Sequence, residues 1–467
     1  MNPTALFRSL VVPLVGVSLL SAAVASDEIP GAPQSRPIVL IGGTVHPVSG
    51  PSLVADVLFD GGRIVRIGRR IPAPEGAERI DVSGKHVYPG LFDAWTDIGL
   101  VEISSVPGSR DESETGAINP NAASWVAVNP DSEHIPVARA NGVLLALSAP
   151  AGGLIPGCSA ILELDGWTWE DMALRAPSGL HIDWPRVAPI DDWLAPPRAR
   201  EAHRRRDAAL EEIARAFADA RAWGELKRLE PDVTPRDARW EAMQPILDGK
   251  VPAIIHADDL GSIESAVAFA LRERIRIIIA GGYDAPHAAG LLKEHGIPVI
   301  VGGVYRRPAR RSDEYDAAYT LPERLRRAGV QFCISGGNPS SSSQVRNLPY
   351  HAATAVAFGL SREEAIRAIT LYPAQILGVS ERVGSLAPGK DATLIVTDGN
   401  PLETKTRVEL AWIEGRRVDL SNRHVRLWKK YQEKYDRLEE ATAPAPSEVA
   451  TPAAEPADTA RAESSPQ

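Results

Sequence analysis

From Arg36 to Tyr88 apolar and polar positions alternate in short runs broken by glycine and proline, as in PIVLIGGTVHP, VADVLFDGGRIVRIG and RIDVSGKHVYPG. This is the period-two pattern of half-buried strands, and Asp60-Gly61-Gly62 supplies a hairpin turn. The same alternation returns from Gly384 to Leu420 in GSLAPGKDATLIV and RVELAWIEGRRVDL, where Pro388-Gly389 suits the centre of a type II turn. Each segment alone has too few strands to bury a core. Together, 36–88 plus 384–420 predict one small composite β-sandwich domain made from both ends of the chain.

Between these ends the pattern changes. GVLLALSAP, VPAIIHADD, IRIIIAGG, IPVIVGG and VQFCISGG are continuous apolar runs that stop at small or polar residues, as strands covered on both faces require. They alternate with helical segments, expected at Ser262 to Glu273, at Ala285 to Glu294, and after Ser361, which stands at capping-box spacing from Glu364. Repeated strand-helix units over 89–383 predict an α/β chain built on a TIM-like (β/α)8 barrel. Leu210, Ile213, Phe217 and Ala220 mark an amphipathic helix between Arg200 and Glu230. The polar connection 104–136 is longer than ordinary loops and is expected to cap the C-terminal mouth of the barrel. RHVRLWKKYQEKYDRL places Leu427, Trp428, Tyr431, Tyr435 and Leu438 on one stripe of a C-terminal helix over 423–440, a docking face. From 441 to 467 no aromatic residue could seed a core, and a disordered tail is expected.

Composition adds the compartment. The segment MNPTALFRSLVVPLVGVSLLSAAVAS carries Arg8, an apolar run from Leu10 to Leu20 and the small-x-small signature Ala23-Val24-Ala25. It reads as a signal peptide over 1–26 and places the mature protein in the periplasm or outside the cell. The run is too short to cross a bilayer, so no membrane span is expected after cleavage. With 51 basic and 60 acidic residues and a net charge of -9, nucleic acid is an unsuitable partner. Cys158 and Cys333 are the only thiols; both sit in apolar stretches and are expected buried and unpaired.

The chemistry gathers where apolar runs end. In HVYPGLFDAWTDIGL, His86 to Leu100, Asp93, Trp95 and Asp97 alternate and share a face; His256 and Asp258 do the same at the end of AIIHAD. AGGLIP lacks the Gly-Lys-Ser/Thr of a phosphate loop, and Ser335 and the serines from 340 to 343 lack a nucleophile elbow. His287, after GGYDAP at a helix start, is expected in a surface or capping role, and His351 and His424 sit in helix-like stretches without a partner pattern. No organic cofactor is expected.

Three stretches carry a resemblance. ITLYPAQILGVSERVGSLAPGKDATLIVTDGNPL, Ile369 to Leu402, resembles the passage from barrel to β-domain in the imidazolonepropionase-like branch of the amidohydrolase superfamily, while VYPGLFDAWTD resembles its first barrel strand and IIHADD its fifth. The resemblance spans about 36 to 420. It implies metal-dependent hydrolysis of carbon-nitrogen bonds other than ordinary peptide links, with zinc held by two histidines on the first strand, one each on the fifth and sixth, and an aspartate on the eighth that also moves the proton of the attacking water. On this sequence those positions fall on Trp95 and Asp97, on His256, in Ala280-Gly281-Gly282, and on Gly336 or Gly337. Only His256 is kept in kind, and tryptophan and glycine offer no lone pair to a metal.

Two readings stay open. In the first, Asp97, His256 and Asp258 form a substitute site for a divalent metal, with Asp258 or Asp97 as general base of an impaired hydrolase. In the second, the barrel is a metal-free pseudoenzyme that binds a small-molecule ligand or an intact paralogue, as a homo-oligomer or a hetero-complex.

Overall fold

The computed structural model describes residues 29–187, 196–337 and 342–442. The expected signal peptide and the tail beyond 442 lie outside the described residues. Alternating segments near the N-terminus form β1 (Ile38–Val45), β2 (Leu53–Asp60), β3 (Arg63–Gly68), β4 (Glu78–Asp81) and β5 (His86–Pro89). The barrel strands follow: β6 (Leu91–Thr96), β7 (Val143–Ser148), β8 (Gly157–Glu163), β9 (Ala173–Asp183), β10 (Ala253–Ala257), β11 (Ile277–Gly281), β12 (Val299–Val301) and β13 (Phe332–Ile334). The C-terminal strands are β14 (Leu394–Thr397), β15 (Val408–Ile413) and β16 (Arg416–Arg417).

One sheet runs β16-β15-β14-β5-β1-β2-β3, with β4 beside β1. The two ends of the chain meet where β5 pairs antiparallel with β14, so the expected composite domain is present. Its core joins Val57 and Phe59 from the first segment to Leu394, Val396 and Trp412 from the second. Phe59 and Trp412 meet edge to face with ring centroids 5.6 Å apart, a preferred aromatic geometry.

The second sheet runs β6 through β13 in chain order and curls until its two edges face each other. Ser335, just after β13, closes the seam, its Oγ lying 2.6 Å from Asp93 Oδ1 and 2.8 Å from the Trp95 carbonyl on β6. Phe92, Leu145, Leu147, Ile161, Ile254, Ile278, Ile300 and Cys333 fill the interior. Both cysteines are buried and free, as expected. The α/β barrel therefore stands, with one departure: β8 runs antiparallel to both β7 and β9. Only residues 149–156 separate β7 from β8, and 164–172 separate β8 from β9. A parallel return needs a crossover of roughly a dozen residues or more, so both connections are too short and the strand order is kept by reversal. The Pro196–Leu229 helix buries Ile213, Phe217 and Ala220. The Leu260–Glu273 helix is capped by Asp259, and the Arg362–Ala368 helix by Ser361, whose Oγ accepts from Glu364 N–H.

The connection 104–136 packs against the start of β8 through Ile118 beside Ile155 and Ala123 beside Cys158. Residues Arg423–Thr442 form a helix in a unit of its own that begins at Asn422. No helix among the described residues is long and apolar enough to cross a membrane.

Candidate active site

Seven barrel strands run parallel, and a cavity of about 680 Å3 opens at their C-terminal ends, where barrels of this kind carry their chemistry. Its walls include Trp95 on β6, Trp184 and Arg186 after β9, His256 on β10 and Asp258 just after it, and Tyr283 and Asp284 after β11. Tyr305, Arg306 and Arg310 follow β12, and His351 comes from the Leu348–Ala357 helix. His256 and Asp258 are thus brought together. Asp97 does not line the cavity, and neither does any residue of 104–136; that connection covers the neighbouring edge of the barrel end instead of its mouth.

His256 is held at both ring nitrogens. Nδ1 lies 2.5 Å from Asp183 Oδ1 and Nε2 lies 2.9 Å from His181 Nδ1. With Nδ1–H donated to the Asp183 carboxylate, Nε2 accepts from His181 Nδ1–H, which leaves His181 Nε2 as a bare lone pair. That nitrogen has no partner among the described residues. Burial, with His256 adding to it, holds the His181 imidazole well below its usual range and therefore neutral. Trp95 tilts over His256 with ring centroids 4.8 Å apart, and Gly302 makes room for it: a Cβ there would stand 3.1 Å from the indole.

Asp258 accepts a bidentate pair from Arg306, NH1 to Oδ1 at 2.9 Å and NH2 to Oδ2 at 2.8 Å. Arg310 grips Asp284 the same way, at 2.6 Å on each oxygen. Both guanidiniums also lie near the Tyr283 ring, 5.2 and 5.8 Å from its centroid. His351 Nδ1 accepts from the Val304 N–H at 3.1 Å; burial pushes its imidazole down to about 4, so it is neutral, with Nε2–H as its donor.

The positions that correspond to lost metal ligands are filled by neighbours. A Cβ on Gly281 would fall 2.7 Å from Asp258 Oδ1, and one on Gly336 would fall 2.7 Å from Asp93 Oδ2. Asp93 occupies that space as part of the seam, accepting from Ser335 Oγ and from the Gly336 and Trp95 amides. Burial pushes its carboxyl up to about 6 despite these donors. Asp97 is buried on the same strand's continuation, also pushed up to about 6 by burial, with one oxygen lacking any partner among the described residues. A catalytic zinc of the kind the family resemblance implies wants three lone-pair ligands around an open position. Here Trp95 offers only an N–H, His256 has both nitrogens engaged, and glycines stand at the sixth and eighth strands. The mouth residues do not fit that metal.

Among the described residues, one trio of acidic, histidine or cysteine groups brings its ligand atoms within 4.8 Å of one another: Glu163, Asp391 and Glu414. It sits at the opposite end of the barrel, against the composite sheet. Three carboxylates at that spacing could coordinate a divalent ion, yet guanidiniums already answer them. Arg382 bonds both Asp391 and Glu414, Arg63 lies 2.8 Å from Asp391 and Arg416 lies 3.7 Å from Glu163. Burial, with Glu414 and Asp391 adding to it, pushes the Glu163 carboxyl up to about 8.

Reading the sequence singled out neither His181 and Asp183 nor the arginine pairs. The first had a signal: LHID repeats, at the end of β9, the His-x-Asp alternation of IIHAD at the end of β10. The arginines lie in a polar loop with no periodicity to flag them.

The model for the amidohydrolase family matches residues 284–425. The chain is similar to amidohydrolase tasK of Hapsidospora irregularis, 23% identical over 403 residues, which cover 78% of this chain and 39% of that protein. It is also similar to an imidazolonepropionase of Mesorhizobium japonicum, 24% identical over 401 residues, covering 76% of this chain and 86% of that one. Among solved structures, an amidohydrolase from Thermotoga maritima superposes with a TM-score of 0.73 at 26% identity, covering 82% of this chain and 99% of that one. The chain belongs to the amidohydrolase superfamily, with an incomplete metal site.

Proposed function

We propose that this amidohydrolase-superfamily chain is an exported, metal-free barrel of the imidazolonepropionase-like branch that binds a small molecule, its hydrolysis of non-peptide carbon-nitrogen bonds lost or reduced to a residue. The observation that carries this reading is the occupancy of the old ligand positions: Asp258 and Asp93 stand where side chains on Gly281 and Gly336 would begin, and His256 is engaged at both nitrogens. Trp95 brings a large apolar ring into the mouth, which favours packing against a ligand over activating water. Walls that pair Arg306 and Arg310 with Asp258 and Asp284 beside Tyr283, Tyr305 and Trp184 suit a planar molecule that is zwitterionic or uncharged. Arg8, the Leu10 to Leu20 run and Ala23-Val24-Ala25 support export, with the mature N-terminus near Ser26 or Asp27.

The test combines metal analysis of the purified protein with hydrolysis assays and thermal-shift titrations using cyclic amides and short dipeptides. Substoichiometric zinc, no turnover and a rise in melting temperature with one ligand class are expected. One tightly held ion per chain, lost together with a hydrolytic activity in both His256→Ala and Asp97→Ala, would establish instead the rebuilt catalytic site.

A further inference from the structure

The helix Arg423–Thr442 exposes a continuous aromatic stripe: Trp428 is 63% exposed, Tyr431 49% and Tyr435 57%, and Leu438 continues the row. Positions 428, 431, 435 and 438 are spaced three, four and three apart, the a-d-a-d spacing of a heptad seam. We propose that this stripe pairs with its counterpart on a second copy of the chain as a short parallel coiled coil. The inference is independent of what the barrel binds.

The charge flanking the stripe selects the partner. With Trp428 and Tyr435 at a and Tyr431 and Leu438 at d, one edge of the seam carries Arg423, Lys430, Lys434 and Arg437, while the other carries Lys429, Gln432, Asp436 and Glu439. Lys434 falls at g and Glu439 at the following e, the two positions that meet between helices in a parallel pair. In an antiparallel pair the basic edge would face itself. A helix that lies on an anionic bilayer carries basic residues on both flanks of its apolar face, whereas here the second flank sets Asp436 and Glu439 against the single Lys429. The helix also has the intrahelical support to persist unpaired, through Arg437 with Glu433 and Gln432 with Asp436. Lys434 lies against the rings of Tyr431 and Tyr435, 5.9 and 5.7 Å from their centroids, so its charge borders the seam.

Sedimentation equilibrium of the full mature chain over a range of concentrations tests this. A monomer-dimer equilibrium is expected, abolished by Trp428→Lys and by Tyr435→Lys. Lys434→Glu and Glu439→Lys should each weaken the dimer roughly tenfold, since two flanking pairs turn repulsive, and the double variant should regain wild-type affinity. Far-UV circular dichroism and melting temperature equal to wild type confirm that the variants keep their fold. Four results would overturn the proposal: a wild-type chain that stays monomeric, a dimer unaffected by Trp428→Lys, charge variants whose double combination is no tighter than the singles, or a monomer captured by phosphatidylglycerol vesicles.

Discussion

At the scale of single residues, the loss of ligands is bound up with packing. Because Asp93 Oδ2 already stands 2.7 Å from where a Gly336 Cβ would be, restoring an acid by Gly336→Asp should not restore chemistry. It should overpack the seam and place a second carboxylate beside a buried one, costing about 1–3 kcal/mol in denaturant melts. An unchanged midpoint would mean that the seam can open at no cost. Glu163 gives a pH signature. Its folded form holds a proton up to about 8, whereas an unfolded glutamate releases it near its ordinary value. The folded state therefore binds more protons between those values, and stability falls as pH rises toward 8, by at most about 1.4 kcal/mol per pH unit. His46, His181 and His351 are held neutral in the folded state but take up protons in the unfolded chain near the ordinary imidazole value, so they raise stability with pH until about 7.5; Asp93 and Asp97, pushed up to about 6, have also released their protons by then. Melting temperature should therefore fall from about pH 7.5 to 8.5 in the wild type and stay flat in Glu163→Gln; parallel curves would assign the slope to another group.

At the scale of elements, the loop after β12 is fixed by two bidentate pairs. Arg310 is the firmer tie, because Asp284 is almost fully buried and its partner cannot be replaced by water. Arg310→Ala should cost about 1–3 kcal/mol and speed amide exchange across residues 302–316, with little change in the composite sheet. Equal exchange in loop and sheet would contradict a local tether. This loop also marks how far the sequence could be read. The strands β7 and β10 through β13 were legible because burial on both faces leaves continuous apolar runs. The Ser361 cap was legible because capping uses few residue types at fixed spacing. The reversal of β8 was not, since its apolar run looks the same in either direction and only the shortness of 149–156 betrays it. Of the site, His256 and Asp258 were legible as alternation at a strand end and do reach the cavity. Asp97 shares their pattern and lies outside it, because alternation fixes a face of a strand and cannot say where the strand leaves the barrel. Arg306, Arg310 and Tyr283 assemble from a loop and a strand end, so no stretch of sequence contains their pattern.

At the scale of the whole molecule, both ends of the folded body depend on each other. Ending the chain after Gly384 removes β14 to β16 and with them Leu394, Val396 and Trp412 from the sheet core. The truncated protein should lose its cooperative transition altogether rather than keep an N-terminal domain; a separate melt of 36–88 would disprove this. The same pairing has a temporal consequence. Arg63 donates to the Gly389 carbonyl across 326 positions of chain, and β5 waits on β14 for its second neighbour. Such distant closure is slow, and a chain made or threaded N-terminus first shows the unpaired side of β5 to its surroundings until almost every later strand has arrived. The first strands to emerge are thus among the last to be finished, and through that interval their open edge is the part of the chain most in need of a chaperone.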